Sequence, residues 1–263
     1  EDKKFTTGKG RYTDDINRPG QLHAFFIRSD VAHAKIKSID ITKALKSDGV
    51  AAIYTGADIA ADGVGGPICG WTPTNRDGSA PKEPPHPLLA NGKVRYVGDH
   101  IAVVIAESME QAKSAAENVR IDLETLAPVV DLSTAIGNTQ IHDEMDDNVY
   151  FDWELGDEKA TGDALGSAAK VIELTVTNNR VIPNAMEPRA AVAEYDETNE
   201  SYTLYTSSQN PHLTRLVMAA FMMQIPESKL HVIAPDVGGG FGSKIYIYPE
   251  EAVCTWATKK LRR

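Results

Sequence analysis

The sequence predicts a mixed α and β chain built as two units. Three observations carry that prediction. Residues 22–123 alternate short strand-like runs with helical segments. Residues 133–163 are acidic and poor in apolar side chains, the composition of a solvated connection. From Ala169 the chain is rich in strands before it closes on a helix, a strand, a glycine-dense loop and a last helix. A chain of 263 residues can bury an ordinary core in two domains or one large one.

Residues 8–15 (GKGRYTDD) and 18–20 (RPG) are turn-rich and read as an opening loop. Residues 22–28 (LHAFFIR) are a strand, and 34–41 (AKIKSIDI) alternate apolar and charged residues as a half-buried strand does. Thr42 is placed to cap a short helical turn to Lys46, and 50–54 form a further strand. Residues 56–92 carry many glycines and prolines and read as one long irregular segment. Residues 94–105 form an apolar strand broken near Gly98-Asp99. Ser108 with Gln111 makes a capping box for a helix over 108–119, whose Met109, Ala112, Ala115, Ala116 and Val119 recur at helical spacing. Residues 120–123 lead out as a strand, and 126–131 leave the first unit extended. In the second unit 170–177, 189–195 and 201–207 read as strands, with 196–200 (DETNE) a hairpin loop. Residues 211–223 form a helix with Leu213, Leu216, Val217, Ala220, Phe221 and Met223 as its core stripe. A turn at Pro226 leads to the strand 230–234, which feeds Gly238-Gly-Gly-Phe-Gly-Ser-Lys244. Pro249-Glu-Glu251 opens the last helix, which runs to Leu261.

Composition removes several classes. An apolar share of 42% and a charged share of 24% are those of a soluble globular protein. A formal charge of -10 argues against non-specific nucleic-acid binding, which needs a basic footprint. Two distant cysteines, Cys69 and Cys254, cannot alone build a disulfide framework, a cysteine-rich zinc site or an iron–sulfur site. A reducing compartment is the default. No apolar run approaches the roughly 20 residues of a membrane span. Residues 1–5 (EDKKF) lack the apolar core of a secretory leader, so a cytoplasmic protein is expected. The acidic run at 143–147 lacks the order of a calcium loop and reads as linker. None of the seven histidines has metal-ligand spacing; His23 and His33 read as packing or surface residues and His212 as a helix cap. Ser207 and Ser208 show no His/Asp partners for hydrolase chemistry.

Three consecutive glycines carry a high entropic cost, borne where a backbone must approach a ligand or take a positive φ. A phosphate-binding P-loop fails twice: Ser243 stands where the second glycine belongs and Ile245 where a metal-binding hydroxyl belongs. A dinucleotide fingerprint lacks its third glycine, replaced by Ser243, and lies at the wrong end of the chain. A tight packing turn stays open, although four glycines in five residues are more than a turn requires.

The company of the loop is more specific. Gly238-Gly-Gly-Phe-Gly-Ser-Lys244, with Ser207-Ser-Gln-Asn-Pro-His212 and Asn184-Ala-Met-Glu-Pro-Arg189 before it, resembles the xanthine oxidase family of molybdenum hydroxylases. Gly8-Lys-Gly-Arg-Tyr-Thr-Asp-Asp-Ile16, Arg28-Ser, Ala32-His-Ala34 and Val94-Arg-Tyr-Val-Gly-Asp99 are similar to the start of that family's large, molybdopterin-binding subunit. The bacterial carbon monoxide dehydrogenase-like and aldehyde or heterocycle dehydrogenase large subunits are the nearest in pattern. The resemblance implies an α+β chain, with an α/β hammerhead domain over 1–130 and the first part of a molybdopterin-binding domain over 131–263.

The resemblance also implies roles. Gln209 would lie beside the molybdenum and donate from its uncharged amide to an oxo ligand. The backbone of Gly239, Gly240, Phe241 and Gly242 would pass close to the cofactor, where main-chain N–H groups can meet anionic atoms. Phe241 and Ile245 would shape the substrate pocket, with no direct protein ligand to the metal. Ile245 replaces the glutamate by which purine-oxidising members hold their substrate, so purine oxidation is not expected. For Glu187 and Arg189 a buried structural ion pair is expected. The implied reaction is hydroxylation of an aldehyde, N-heterocycle or carbon monoxide-type substrate with water as oxygen source. The implied cofactor is molybdopterin with molybdenum, in its cytosine dinucleotide form. A [2Fe–2S] small subunit and an FAD medium subunit would take the electrons, in a dimer of heterotrimers. The remainder of the large subunit, with the family's catalytic glutamate, is expected outside these residues, and the truncated sheet edge is expected to make the piece poorly soluble alone. The alternative is an assembly or binding module that keeps the fold without the metal.

Overall fold

The computed structural model describes residues 2–145 and 147–263; Glu1 and Asp146, the latter within the acidic run at 143–147, lie outside them. The elements are α1 (Asp2–Thr6), β1 (His23–Arg28), β2 (Ala34–Asp40), β3 (Val50–Thr55), α2 (Gly56–Ala61), β4 (Lys93–Val94), β5 (His100–Ala106), α3 (Met109–Ala116), β6 (Arg120–Thr125), α4 (Glu158–Ser167), β7 (Ala191–Asp196), β8 (Ser201–Thr206), α5 (Pro211–Val217), β9 (Leu230–Ile233) and α6 (Pro249–Leu261). A π-helical turn, Met218–Met223, prolongs α5. Among the described residues no helix is long and apolar enough to cross a membrane.

Three small sheets organise these elements. In the first, β5 lies between β1 and β3, antiparallel to both. Every residue of β5 is buried, which is why 100–106 reads as continuous apolar sequence rather than alternating. The second sheet runs β4-β2-β6. Helix α3 lies against the first, and its buried Ala112 and Ala115 meet Ile53, Val104 and Ala106. Ser108 caps it as expected, its side chain accepting from the Gln111 N–H at 3.2 Å, but the reciprocal half of the capping box is not formed: the Gln111 amide donates to Asp48 instead. In the third sheet β7 and β8 form the antiparallel hairpin and β9 joins β8 in parallel. The largest core joins both halves: Leu88, Leu89, Val103 and Ile105 pack with Leu204, Val217, Met218, Met222, Val253 and Trp256.

Five local expectations need correction. Residues 56–61, read as part of an irregular segment, are α2. Its start is fixed by Asp58, whose carboxylate accepts from the Thr55 N–H and hydroxyl at 2.7 and 2.8 Å. Gly56 hides the helix in the sequence, yet only glycine fits there, because a Cβ would lie 2.5 Å from the Ala90 carbonyl oxygen. Residues 158–167, in a stretch read mainly as linker, form α4, capped by Asp157. Thr42 does not cap the turn Ala44–Lys46; its N–H instead donates to Asp40. The stripe of the 211–223 helix is rotated: Thr214, Val217, Met218, Ala219 and Met222 are buried, whereas Leu213, Leu216, Ala220 and Phe221 are exposed. That helix is apolar on two adjacent stripes, so periodicity alone could not choose between them. Residues 170–177, read as a strand, form no strand and belong to no sheet.

Candidate cofactor-binding loop

The site is built where β8 and β9 end side by side. Strand β8 runs into Ser207 and Ser208, both buried, and then into Gln209. Asn210 follows as the cap of α5: its side-chain oxygen accepts from the Leu213 N–H at 3.2 Å, and Pro211 takes the first helical position. His212 therefore is not the cap, as the sequence suggested, but lies one residue inside the helix.

Strand β9 delivers the glycine loop to Gln209. The Gln209 N–H donates to the Lys244 carbonyl at 2.8 Å. Its side-chain oxygen accepts from the Gly242 N–H at 2.9 Å and the Lys244 N–H at 3.2 Å. Both neighbours of that oxygen are donors, so the amide is seated oxygen-inward, and among the described residues its NH₂ has no acceptor. A Cβ on Gly240 would collide with this amide, so the glycine is required by close packing. Gly239 and Gly242 take φ of 95° and 89°. Phe241 does the same at 52°, an uncommon choice for an aromatic residue, and its side chain is 72% exposed. Among the described residues, the N–H groups of Gly239, Gly240 and Phe241 donate to no acceptor within the chain. Ile245 is half-buried just beyond, its N–H donating to Gly242.

Beneath the loop lies a charged support. Lys244 is 2% exposed, and its Nζ donates to the Glu187 carboxylate at 2.9 Å and the Glu187 carbonyl at 2.8 Å. The same carboxylate oxygen accepts from Ser207 Oγ at 2.6 Å and from the Gly238 N–H at 2.7 Å. Burial pushes the Glu187 carboxyl up, but these bonds together hold it below the usual carboxylate value. A Cβ on Gly238 would sit 2.5 Å from Glu187 Cβ, so this glycine too is fixed by packing. Arg189 is not the partner of Glu187. Its guanidinium lies 3.3 Å from the centre of the Tyr248 ring, donates to the Ser243 and Tyr246 carbonyls, and faces Glu251 at 3.7 Å. Burial raises the Glu251 carboxyl above its usual value, against the bonds from Thr206 and the Tyr248 N–H.

The structure thus brings together Gln209, Gly239, Gly240, Phe241 and Gly242, with Ile245 at the margin. A cavity of about 910 Å³ lies elsewhere, between β1, β7 and α6, and none of these residues lines it. Among the described residues no group of three or more His, Cys, Asp or Glu side chains is placed to hold a metal ion. The support of Glu187, Lys244 and Ser207 was not foreseen. Its only signal was a lysine closing a glycine run, and nothing local paired it with a glutamate so far back.

Comparison with known proteins places this geometry. Residues 7–127 match the family model of the aldehyde oxidase and xanthine dehydrogenase a/b hammerhead domain, and residues 141–263 that of the molybdopterin cofactor-binding domain. The chain is 36% identical to the nicotine 6-hydroxylase large subunit of Paenarthrobacter nicotinovorans, over 100% of this chain and 31% of that protein. It is 37% identical to the carbon monoxide dehydrogenase large chain of Afipia carboxidovorans, over 94% of this chain and 31% of the relative. Quinoline 2-oxidoreductase from Pseudomonas putida 86 superposes with a TM-score of 0.86 at 35% identity, covering 100% of this chain and 32% of its own. The chain thus spans about a third of the length of the relatives it matches. Two family models in succession, and relatives alike along nearly all of it, show that the chain belongs to the xanthine oxidase family of molybdenum hydroxylases, in the lineage of its molybdopterin-binding large subunits.

Proposed function

We propose that residues 207–245 form one wall of a molybdopterin site in an oxidoreductase acting on an aldehyde, N-heterocycle or carbon monoxide-type substrate, with water as oxygen source. One observation carries the reading: the Gln209 oxygen is held by two backbone N–H groups, which leaves its NH₂ as an oriented, uncharged donor. The loop fits an anionic cofactor. Among the described residues three successive N–H groups, from Gly239 to Phe241, find no acceptor, and glycine at 240 lets the backbone come close. Molybdopterin bound there supplies the redox chemistry. The residues of this chain would hold it and orient it: Gln209 would donate from Nε2 to an oxygen acceptor, the loop N–H groups would meet its anionic atoms, and Phe241 would form a wall of the substrate pocket. Ile245 adds an apolar side chain with no charge to hold a purine.

The relatives named for nicotine and carbon monoxide, and the solved structure named for quinoline, support that range of substrates. The cytosine dinucleotide form of the cofactor, a [2Fe–2S] small subunit, an FAD medium subunit, a dimer of heterotrimers and a cytoplasmic setting complete the proposal. The division into a hammerhead domain over 1–130 and a cofactor domain over 131–263 belongs to it too. The test is metal analysis and turnover of the protein purified with its co-purifying chains. Molybdenum is expected in the assembly. Gln209→Ala should lower turnover per bound molybdenum by about 10²–10³-fold, the usual cost of removing an oriented donor, in a chain that still folds cooperatively. Absent molybdenum overturns the site, and unchanged turnover with molybdenum bound overturns the role of Gln209.

A further inference from the structure

Residues 170–177 (KVIELTVT) have the sequence of a strand and the structure of none. Ile172, Leu174 and Val176 recur with period 2 and are 81%, 83% and 75% exposed. The residues that alternate with them are Val171, 52% exposed, and the polar Glu173, Thr175 and Thr177. This is the pattern of a strand with one face buried and one wet. Among the described residues, no backbone group of 169–186 makes a hydrogen bond within the chain. An apolar face and an unpaired backbone in one segment are the two requirements for adding a strand to a sheet.

We propose that residues 170–177 pair with the edge of a β-sheet supplied by the portion of a large subunit that these 263 residues do not span. Two observations select that occupant. The segment lies inside the stretch 141–263 that matches a single cofactor-binding domain, so it is not a hinge between domains. The relatives that match along the whole chain are about three times its length, 31% of each being covered, so most of such a subunit remains to supply the edge. A second copy of this chain is disfavoured by a formal charge of -10 on each. Pro183 ends the pairing region, because it can donate no ladder hydrogen bond. The pairing rests on the domain match and not on the cofactor reading.

Hydrogen–deuterium exchange tests it, comparing the assembly purified from its source with the isolated 263-residue chain. Amides of β5 report in each sample whether the protein is folded. In the assembly, amides of 170–177 should exchange about a hundredfold more slowly than in an unpaired peptide, as amides of a paired strand do. In the isolated chain they should exchange freely while β5 stays protected. Should the isolated chain fail to protect β5, the assembly arm decides alone. There, Ile172→Asn with Leu174→Asn should abolish the slowing, whereas Thr175→Asn on the opposite face should leave it. Free exchange of 170–177 in an assembly with protected β5 overturns the pairing. Protection in the isolated chain that grows with concentration overturns the choice of partner in favour of a second copy.

Discussion

Lys244→Met tests the support beneath the glycine loop. Methionine keeps most of the apolar stem and removes the charge. At 2.9 Å and an effective dielectric of about 20, the gross attraction between Lys244 and Glu187 is about 6 kcal/mol. Desolvation of both ions offsets most of that, so the net worth of the pair is small. The variant reveals something different: a carboxylate left buried without its counter-charge, which costs about 3–5 kcal/mol. Glu187 keeps its bonds from Ser207 and Gly238, which favours the lower end. The sign with pH follows from Glu187. Its folded-state value is depressed, so in the parent protein its contribution is present above the ordinary value of 4.5 and is lost as pH falls through the folded value. In Lys244→Met burial acts with less opposition and the value rises, so protonation relieves the strain at higher pH and the deficit shrinks on acidification. Denaturant midpoints from neutral pH to below 4.5 give both quantities. Combined with Glu187→Gln, the loss should fall short of the sum of the singles by about 1–3 kcal/mol. Additive losses that do not vary with pH would refute the pairing.

Two further predictions concern other contacts. Glu250, at the first turn of α6, is paired with Arg28 and lies 2.9 Å from His100 Nε2. Burial alone would raise its carboxyl, but His100, its own N–H and Arg28 hold it down to about 2. Its contribution, about 3 kcal/mol for a shift of that size, is present above pH 4.5 and is lost as pH falls towards 2. Glu250→Gln should flatten that limb in a thermal-midpoint titration, and an unaltered limb would remove Glu250 as its source. Gly240→Ala should push the Gln209 amide off its two backbone donors, costing about 1–3 kcal/mol as overpacking does. It should also lower molybdenum content in the assembly, measured per chain by elemental analysis; full occupancy would separate the amide from cofactor binding.

What the sequence disclosed depended on how local the cause was. The β7–β8 hairpin was legible because its alternation and its polar loop lie within a few residues of each other. Helix α3 was legible from Ser108 and an alanine-rich face, and β5 from its unbroken apolar run. Helix α2 was hidden by Gly56, which the carbonyls of residues 89 and 90, far along the chain, require, although its Thr55–Asp58 capping contact is local. The burial of α5 was misread because two stripes satisfied one period. At the candidate site, the residues that would face a ligand were found by motif, while those that hold them were not. Lys244 and Glu187 are far apart in sequence, and neither carries a mark of burial. Charged residues are expected at the surface unless paired, and a pairing made by the fold is not written in either residue's neighbourhood.

The opening residues gain meaning from the same consideration. The turn-rich segment 8–15 is the outer brace of the glycine loop: the Arg11 N–H donates to the Asp236 carboxylate at 2.8 Å, and the Asp236 N–H donates back to the Arg11 carbonyl at 3.0 Å. Lys4 pairs with the same carboxylate. The loop is therefore held from the first unit through Asp236, from below through Glu187 and Lys244, and from the side through the Gln209 oxygen. Three glycines in succession lose much entropy on ordering, and these bonds offset it. It follows that Gln209→Ala removes two things together, a brace and a donor. Gln209→Glu separates them. A carboxylate oxygen can still accept from the Gly242 and Lys244 N–H groups, and more strongly for its charge, but the side chain no longer offers an NH₂. If Gln209 serves only to order the loop, the glutamate variant should match or exceed the parent in thermal midpoint and keep its turnover. If Gln209 is the donor towards the cofactor, stability should hold while turnover falls as far as in the alanine variant.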